Sequence, residues 1–340
     1  MKRLRDRMEY RPLVSLLVIL LLCGIISGGS FFKISVVDGH LYGRLLDILR
    51  NGSRYMILAV GMTMVLATGG TDISVGSVMA ISGALACSIV DRRILLGLNG
   101  NVFAAVVLAL GIGAVCGAWN GFLVAKLKVQ PIVATLILMT AGRGIAQLIA
   151  DGKIVTITSD AYYHISGGYI AGLPVPMYIA ALMLALALLL TKKTAFGLAV
   201  ESIGVNADSA RLAGIAVEKN LWLIYVFCGV CAALAGLIES AGIKGADCNN
   251  CGLMIEMDGI LAVAIGGTSL SGGRFSFVSS IIGALVVQTI TTMILAFGVA
   301  PEVIRVFKAL IVIVVCLAQS PAFMSRLKGV LDKKRVVAQG

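Results

Sequence analysis

Residues 174–190, P-V-P-M-Y-I-A-A-L-M-L-A-L-A-L-L-L, run into 191–220, T-K-K-T-A-F-G-L-A-V-E-S-I-G-V-N-A-D-S-A-R-L-A-G-I-A-V-E-K-N, and out again into 221–238, L-W-L-I-Y-V-F-C-G-V-C-A-A-L-A-G-L-I. The two flanks are apolar on every helical face and long enough to cross a bilayer core of about 30 Å, which takes roughly 20 residues. The segment between them is a polar island that keeps helical patterning. Asn206 is an N-cap type, Asp208 suits the positive end of the helix that follows, and Gly214 suits a left-handed stop. An earlier short helix, 197–203, is expected to stop at Gly204 in the same way. Helices shorter than about 12 residues are marginal alone in water. Two such helices between membrane spans therefore need a surface to dock on.

The rest of the chain extends the pattern of the flanks. Apolar residues make up 59% and charged residues 13%, whereas soluble domains are about 25% charged. The mean hydropathy is +1.00. The expected fold is an all-α polytopic membrane protein of about ten spans: 12–31, 54–70, 72–91, 102–125, 131–150, 174–191, 219–240, 256–268, 276–297 and 303–320. Segment 1–11 reads as a cytoplasmic N-terminal segment, 12–320 as the transmembrane domain with the island as its cytoplasmic loop, and 321–340 as a basic cytoplasmic tail. Alternating ten-residue strands, the mark of a β-barrel, are missing. The first span continues apolar to Phe32, so it is expected to stay as an uncleaved helix with its amino end in the cytosol.

The net charge of +11 follows membrane topology and not nucleic acid. With both ends inside, the cytoplasmic side holds Lys2, Arg3, Arg5, Arg7, Arg11, Lys126, Lys128, Lys192, Lys193, Arg211, Lys219, Arg274, Arg326, Lys328, Lys333, Lys334 and Arg335. The outer side holds Lys33, Arg44, Arg50, Arg54, Arg92, Arg93, Lys153 and Lys244. That asymmetry obeys the positive-inside rule and puts the island in the cytosol. Arg44, Arg50 and Arg54 fit this topology least well.

Two glycine-rich segments resemble each other. Residues 67–78, A-T-G-G-T-D-I-S-V-G-S-V, align without gaps on 264–275, A-I-G-G-T-S-L-S-G-G-R-F, with six identities in twelve positions. Glycine pairs at the end of an apolar run break a helix. Broken backbone at membrane depth survives only inside protein or beside water, where transporters use it on substrate paths. Two tight turns at the same membrane face are the other reading. Neither segment is a phosphate loop, because G-x-x-x-x-G-K-[ST] occurs nowhere. The chain is expected to bind no cofactor and to be no enzyme; if transport is driven by ATP and magnesium, another subunit uses them.

Polar groups within spans are candidates for function. Thr63, Thr68, Thr71, Asp72, Asn120, Thr135, Arg143 and Gln147 are expected along the path, with Arg143 ~18 Å beyond Pro131 at 1.5 Å per residue. Each has a plainer reading as a helix-to-helix hydrogen bond. Arg305 and Lys308 read as snorkelling side chains, and Glu239 and Asp258 as structural. Cys248 and Cys251 have the spacing of a redox or metal pair in an outside loop, but only His40 and His164 exist as histidines. They read either as incidental or as a loop disulfide. No run of buried carboxylates suggests a proton relay.

At these motifs the chain resembles the membrane-spanning subunits of bacterial sugar ABC importers, the ribose-type permease family, over about residues 47–319. The resemblance rests on four ordered segments: 61–76, G-M-T-M-V-L-A-T-G-G-T-D-I-S-V-G; 120–124, N-G-F-L-V, with 130–136, Q-P-I-V-A-T-L; 204–215, G-V-N-A-D-S-A-R-L-A-G-I; and 264–274, A-I-G-G-T-S-L-S-G-G-R. Residues 139–147, M-T-A-G-R-G-I-A-Q, and 243–253, I-K-G-A-D-C-N-N-C-G-L, look most like galactofuranose permeases. The resemblance implies a type II importer permease in the bacterial plasma membrane. It also implies a second permease subunit (a copy or a sister), two cytosolic ATPases and an extracytoplasmic sugar-binding protein. Docking on the ATPases falls on Glu201, Gly204, Asn206, Asp208, Arg211 and Gly214. A permease for branched-chain amino acids or nucleosides is the neighbouring alternative. An ion-coupled carrier or channel without an ATPase is the more distant one.

Overall fold

The computed structural model describes residues 2–26, 29–37, 39–91, 100–296 and 298, with isolated positions 303, 306, 308–310 and 313 beyond them. The tail 321–340, Arg305, Cys316 and most of the tenth expected span lie outside the described residues.

Twelve helices are described: α1 (Lys2–Ile26), α2 (Arg44–Ala67), α3 (Val75–Val90), α4 (Val102–Gly121), α5 (Pro131–Ile149), α6 (Asp160–Gly167), α7 (Val175–Lys193), α8 (Phe196–Val205), α9 (Ala207–Leu212), α10 (Val217–Gly242), α11 (Ile255–Ile265) and α12 (Phe277–Ala296). Six strands of two or three residues form three antiparallel pairs. Among the described residues, five helices are long and apolar enough to cross a membrane: α4 with the π-helical turn Phe122–Lys126 that extends it, α5, α7, α10 and α12. The chain is thus a polytopic helical protein, as its composition demands.

Local chemistry sets the helix starts. Asn101 caps α4 by accepting from Phe103 N at 2.9 Å and Ala104 N at 3.3 Å, and prolines occupy the first turns of α5 and α7, where no amide partner is lost. α4 and α10 pack antiparallel at close range. Gly113, Gly117 and Gly121 face Gly229, Ala233 and the Tyr225 and Trp222 backbone, leaving no room for a Cβ. This is the small-residue packing expected where apolar burial cannot hold helices together.

The core is α2, buried throughout from Tyr55 to Ala67 and surrounded by α7, α10, α11 and α12. It begins at Arg44, ten residues before the expected span. The arginines that disturbed the charge count are helical and held. Arg50 Nε donates to Ser166 O at 3.0 Å, and Arg54 lies 3.5 Å from Glu239 Oε2. The helix at the amino end runs from Lys2 through Pro12 into the first expected span.

The two glycine-rich segments end α2 and α11 in the same way. Gly69 N donates to Leu66 O and Gly70 N to Val65 O; Gly267 N donates to Ala264 O and Thr268 N to Val263 O. Gly69 and Gly267 take φ of +77° and +82°, the left-handed residue of a helix stop. The structural match is therefore one residue out of step with the gapless alignment, because Gly69 corresponds to Gly267 and not to Gly266. The connections then diverge: α3 resumes at Val75, whereas α12 waits until Phe277.

The segment that enters the bundle is a different one. Residues 247–254 read as an outside loop, yet Cys248 and Cys251 are buried, and Gly252 packs against Gly76 in the first turn of α3. Gly76 lies ~18 Å along α3 from Ser88, and Ser88 reaches the far end of α5 at Ile149 O, 3.4 Å. The loop thus dips deep into the bundle from the end opposite the island. Its base is pinned by a strand pair in which Val155 and Thr156 face Ala246 and Gly245.

Candidate functional site

Three groups of side chains carry the candidate chemistry, and they sit at different levels of the bundle. The first is the turn 68–74 between α2 and α3. Asp72, only 2% exposed, accepts from Ser74 N at 2.9 Å and Ser74 Oγ at 2.6 Å. Ser74 Oγ in turn accepts from Asn120 Nδ2 at 2.8 Å. Thr135 Oγ1 accepts from Ile73 N at 3.3 Å, and Tyr225 Oη donates to Thr71 O at 3.4 Å. The structure therefore joins Thr71, Asp72, Asn120 and Thr135, drawn from three separate stretches of sequence. Ser74, which links two of them, went unnoticed because a serine after a glycine turn reads as an ordinary helix start. Thr71 Oγ1 and Asn120 Oδ1 are buried without a partner, and so are Thr268 Oγ1 and Ser279 Oγ near the second glycine segment. Buried polar atoms left open are costly.

Thr63 and Thr68 do not join this cluster. Thr63 is fully buried between α2 and α12, donating to Ala59 O and lying 2.8 Å from Ser280 Oγ. Thr68 Oγ1 closes the end of α2 on Val65 O at 2.8 Å.

The second group holds the dipping loop. Arg143 Nη1 donates to Cys248 O at 3.0 Å and Cys251 O at 2.5 Å, and Gln147 Nε2 to Asn249 Oδ1 at 2.6 Å. From α10, Glu239 Oε1 accepts from Gly252 N at 3.3 Å while its other oxygen faces Arg54. Glu239 is structural, as expected. Lys308 does not snorkel: its Nζ lies 2.7 Å from Asp258 Oδ2, with both side chains largely buried. Cys248 and Cys251 are free thiols, and Cys248 Sγ donates to Ala146 O. At the loop rim the Asn250 carboxamide, with the Asn249 and Asn250 amides, holds the Asp247 carboxyl below its ordinary value.

The third group is the island. Asn206 Oδ1 accepts from Ser209 N at 2.8 Å and caps α9, as the sequence predicts. Asp208 sits in the first turn, 3.3 Å from Arg211. Gly214 is left-handed at φ +82°. Ile203, Ala210 and Val217 form a small apolar core of their own. Gly204 departs from expectation. It lies inside α8, which continues to Val205, and it faces the bundle. A Cβ there would overlap Ala67 O and Gly273 N. Glu201 lines a cavity of about 180 Å³ with Thr191, Lys192 and Phe275. Leu198, Val205 and Leu212 stand 71%, 78% and 91% exposed.

Comparison with known proteins agrees with this architecture. The family model described as branched-chain amino acid transport system / permease component matches residues 44–316. The chain is 46% identical to the galactofuranose transporter permease protein YtfT of Escherichia coli (strain K12) over 334 residues, 98% of this chain and 96% of that one. It is 38% identical to the fructose import permease protein FruF of Bifidobacterium longum (strain NCC 2705), covering 88% of this chain and 84% of that one. Identity to the ribose import permease protein RbsC of Escherichia coli (strain K12) is 35%, with 92% and 94% covered. No solved structure matches. With its long apolar helices and a match spanning most of its length, the chain belongs to this family of multi-pass membrane permease components.

Proposed function

We propose that the chain is the membrane-spanning subunit of an ATP-driven importer for a monosaccharide, with furanose-form sugars as the substrate class. The observation that carries this reading is the 46% identity to a galactofuranose permease along nearly the whole of both chains, supported by fructose and ribose permeases among the relatives. In this reading the chain performs no covalent chemistry. ATP and magnesium are used by two cytosolic ATPase subunits, a second permease completes the path, and a binding protein delivers sugar at the end away from the island. Both chain ends and the island lie in the cytosol.

The polar break of Thr71, Asp72, Asn120 and Thr135 lines the path, together with Gln147 near the mouth. Thr63, Thr68 and Arg143, which bond outside that cluster, shape it from behind. The ATPase seats on the outward face of the island, where Leu198, Val205 and Leu212 stand exposed beside the Asp208–Arg211 pair. Large exposed apolar residues on a polar segment mark contact surfaces.

The test is reconstitution in liposomes with the ATPases and binding protein, measuring uptake of labelled galactofuranose, ribose and fructose with and without ATP. ATP-dependent accumulation of a furanose sugar is expected. Accumulation driven by an ion gradient without ATP overturns the reading, and uptake of leucine or a nucleoside in place of sugar moves it to the neighbouring class. Leu212→Asp with Arg211→Glu is expected to release the ATPase on co-purification while the permease still inserts.

A further inference from the structure

Three glycine-bearing segments far apart in the chain meet backbone to backbone at the island end. Ala67 O belongs to the last turn of α2, whose carbonyls have no partner within their own helix. It accepts instead from Gly273 N of the second glycine segment at 2.8 Å. Gly204 of α8 sits on that bond, with its Cα turned toward both partners so closely that no Cβ fits. Gly272 closes the arrangement. A Cβ there would stand 2.7 Å from Gly204 O and 3.0 Å from Gly69 N, and its φ of +90° already suits only glycine.

We propose that this knot of Gly204, Ala67, Gly272 and Gly273 is the joint through which movement of the island reaches the broken ends of α2 and α11 together. The inference rests on the importer reading above and deepens it. Its physical content is that α8 meets the breaks backbone to backbone at Gly204, where no Cβ fits, so no rotamer at that contact can absorb a displacement of α8. The same displacement must shift or break the Gly273-to-Ala67 hydrogen bond. Room for the movement exists beside the knot, in the cavity bounded by Thr191, Lys192, Glu201, Phe275 and Phe277. The polar cluster of Asp72 and Asn120 begins five residues beyond Ala67, so a shift of the α2 end is passed to it along a short stretch of backbone.

The experiment uses the full complex of permease, ATPases and binding protein in liposomes. Sugar imported per ATP hydrolysed is compared for the unaltered chain, Gly204→Ala and a control, Gly111→Ala, where a Cβ meets nothing within 4 Å. Gly204→Ala is expected to keep the ATPase on co-purification and to hydrolyse ATP at no less than about half the normal rate, while sugar imported per ATP falls at least tenfold. Gly111→Ala is expected to leave that ratio unchanged. An unchanged ratio in Gly204→Ala overturns the proposal, as does loss of ATPase binding, which would make Gly204 a docking residue. If Gly204→Ala does not insert, Gly69→Ala is read in its place with the same two outcomes, since its Cβ clears Ser271 O by 3.6 Å and strains the joint only through φ +77°. Failure of the unaltered complex to import sugar with ATP counts against the importer reading itself and is seen before any variant is compared.

Discussion

The two ends of the bundle are fastened by opposite means. At the island end the contacts are backbone against backbone, among Gly69, Gly204, Gly272, Gly273 and Ala67, with no charged side chain taking part. At the far end, long charged side chains reach across the helices. Arg143 and Glu239 grip the dipping loop, Arg54 pairs with Glu239, and Lys308 pairs with Asp258. The difference matters because the two kinds of fastening fail differently. A glycine contact separates at the cost of some packing and one hydrogen bond, about 1 kcal/mol net. A buried charge deprived of its partner costs about 3–5 kcal/mol. The island end is therefore the end that can move cheaply, and the far end is the one that holds its shape.

The comparison breaks if the charged struts turn out to be dispensable. Lys308→Met leaves Asp258 facing α2 without its cation, so we expect the largest loss, about 3 kcal/mol, in unfolding of the detergent-solubilised permease by heat or SDS. Asp258→Asn with Lys308→Met together should recover most of it, because no unpaired charge remains. Arg143→Met comes next. It strips the Cys248 and Cys251 carbonyls of their donor in a buried setting, for a loss of about 2–3 kcal/mol, and should raise the reactivity of both thiols toward maleimide as the loop loosens. Unchanged thiol labelling would mean that Glu239 and the strand pair suffice to hold the loop.

Much of this was legible in the sequence, and the rest failed for identifiable reasons. Apolar run length placed the five described helices long enough to cross a membrane, and cap chemistry placed the island helix after Asn206, because both signals are local. Arg143 was legible as a buried group needing a partner, but the partner is a backbone carbonyl 105 residues away, which no local pattern encodes. The dipping loop was misread because Asp247, Asn249 and Asn250 give it an aqueous composition, although it is Cys248, Cys251 and Gly252 that point inward. Gly204 was misread as a helix stop for a related reason. Glycine serves equally for a left-handed turn and for close approach, and only the neighbours decide which. The start of α2 was set too late because Arg44, Arg50 and Arg54 counted as loop charges, whereas Ser166 O and Glu239 receive two of them inside the fold.

Two smaller effects sharpen the contrast between the ends. Asn206→Ala removes the cap of α9 at the island, for about 1 kcal/mol. Because α9 is only six residues long, the loss should appear as faster amide exchange confined to 207–215, with global unfolding unmoved. At the far end, Asp247 gives the loop a dependence on acid. Its carboxyl is held low mainly by the Asn250 carboxamide, so its contribution is fully present above the unfolded carboxyl value and is lost as pH falls through the lower folded one. Melting temperature should therefore drop a little more steeply below about pH 4, the ordinary carboxyl value, in the unaltered chain than in Asp247→Asn. The effect is small because the group is partly exposed and water screens it. An equal slope in the two proteins would show that the loop is held from within, by Arg143 and Glu239 alone, and that its rim adds nothing.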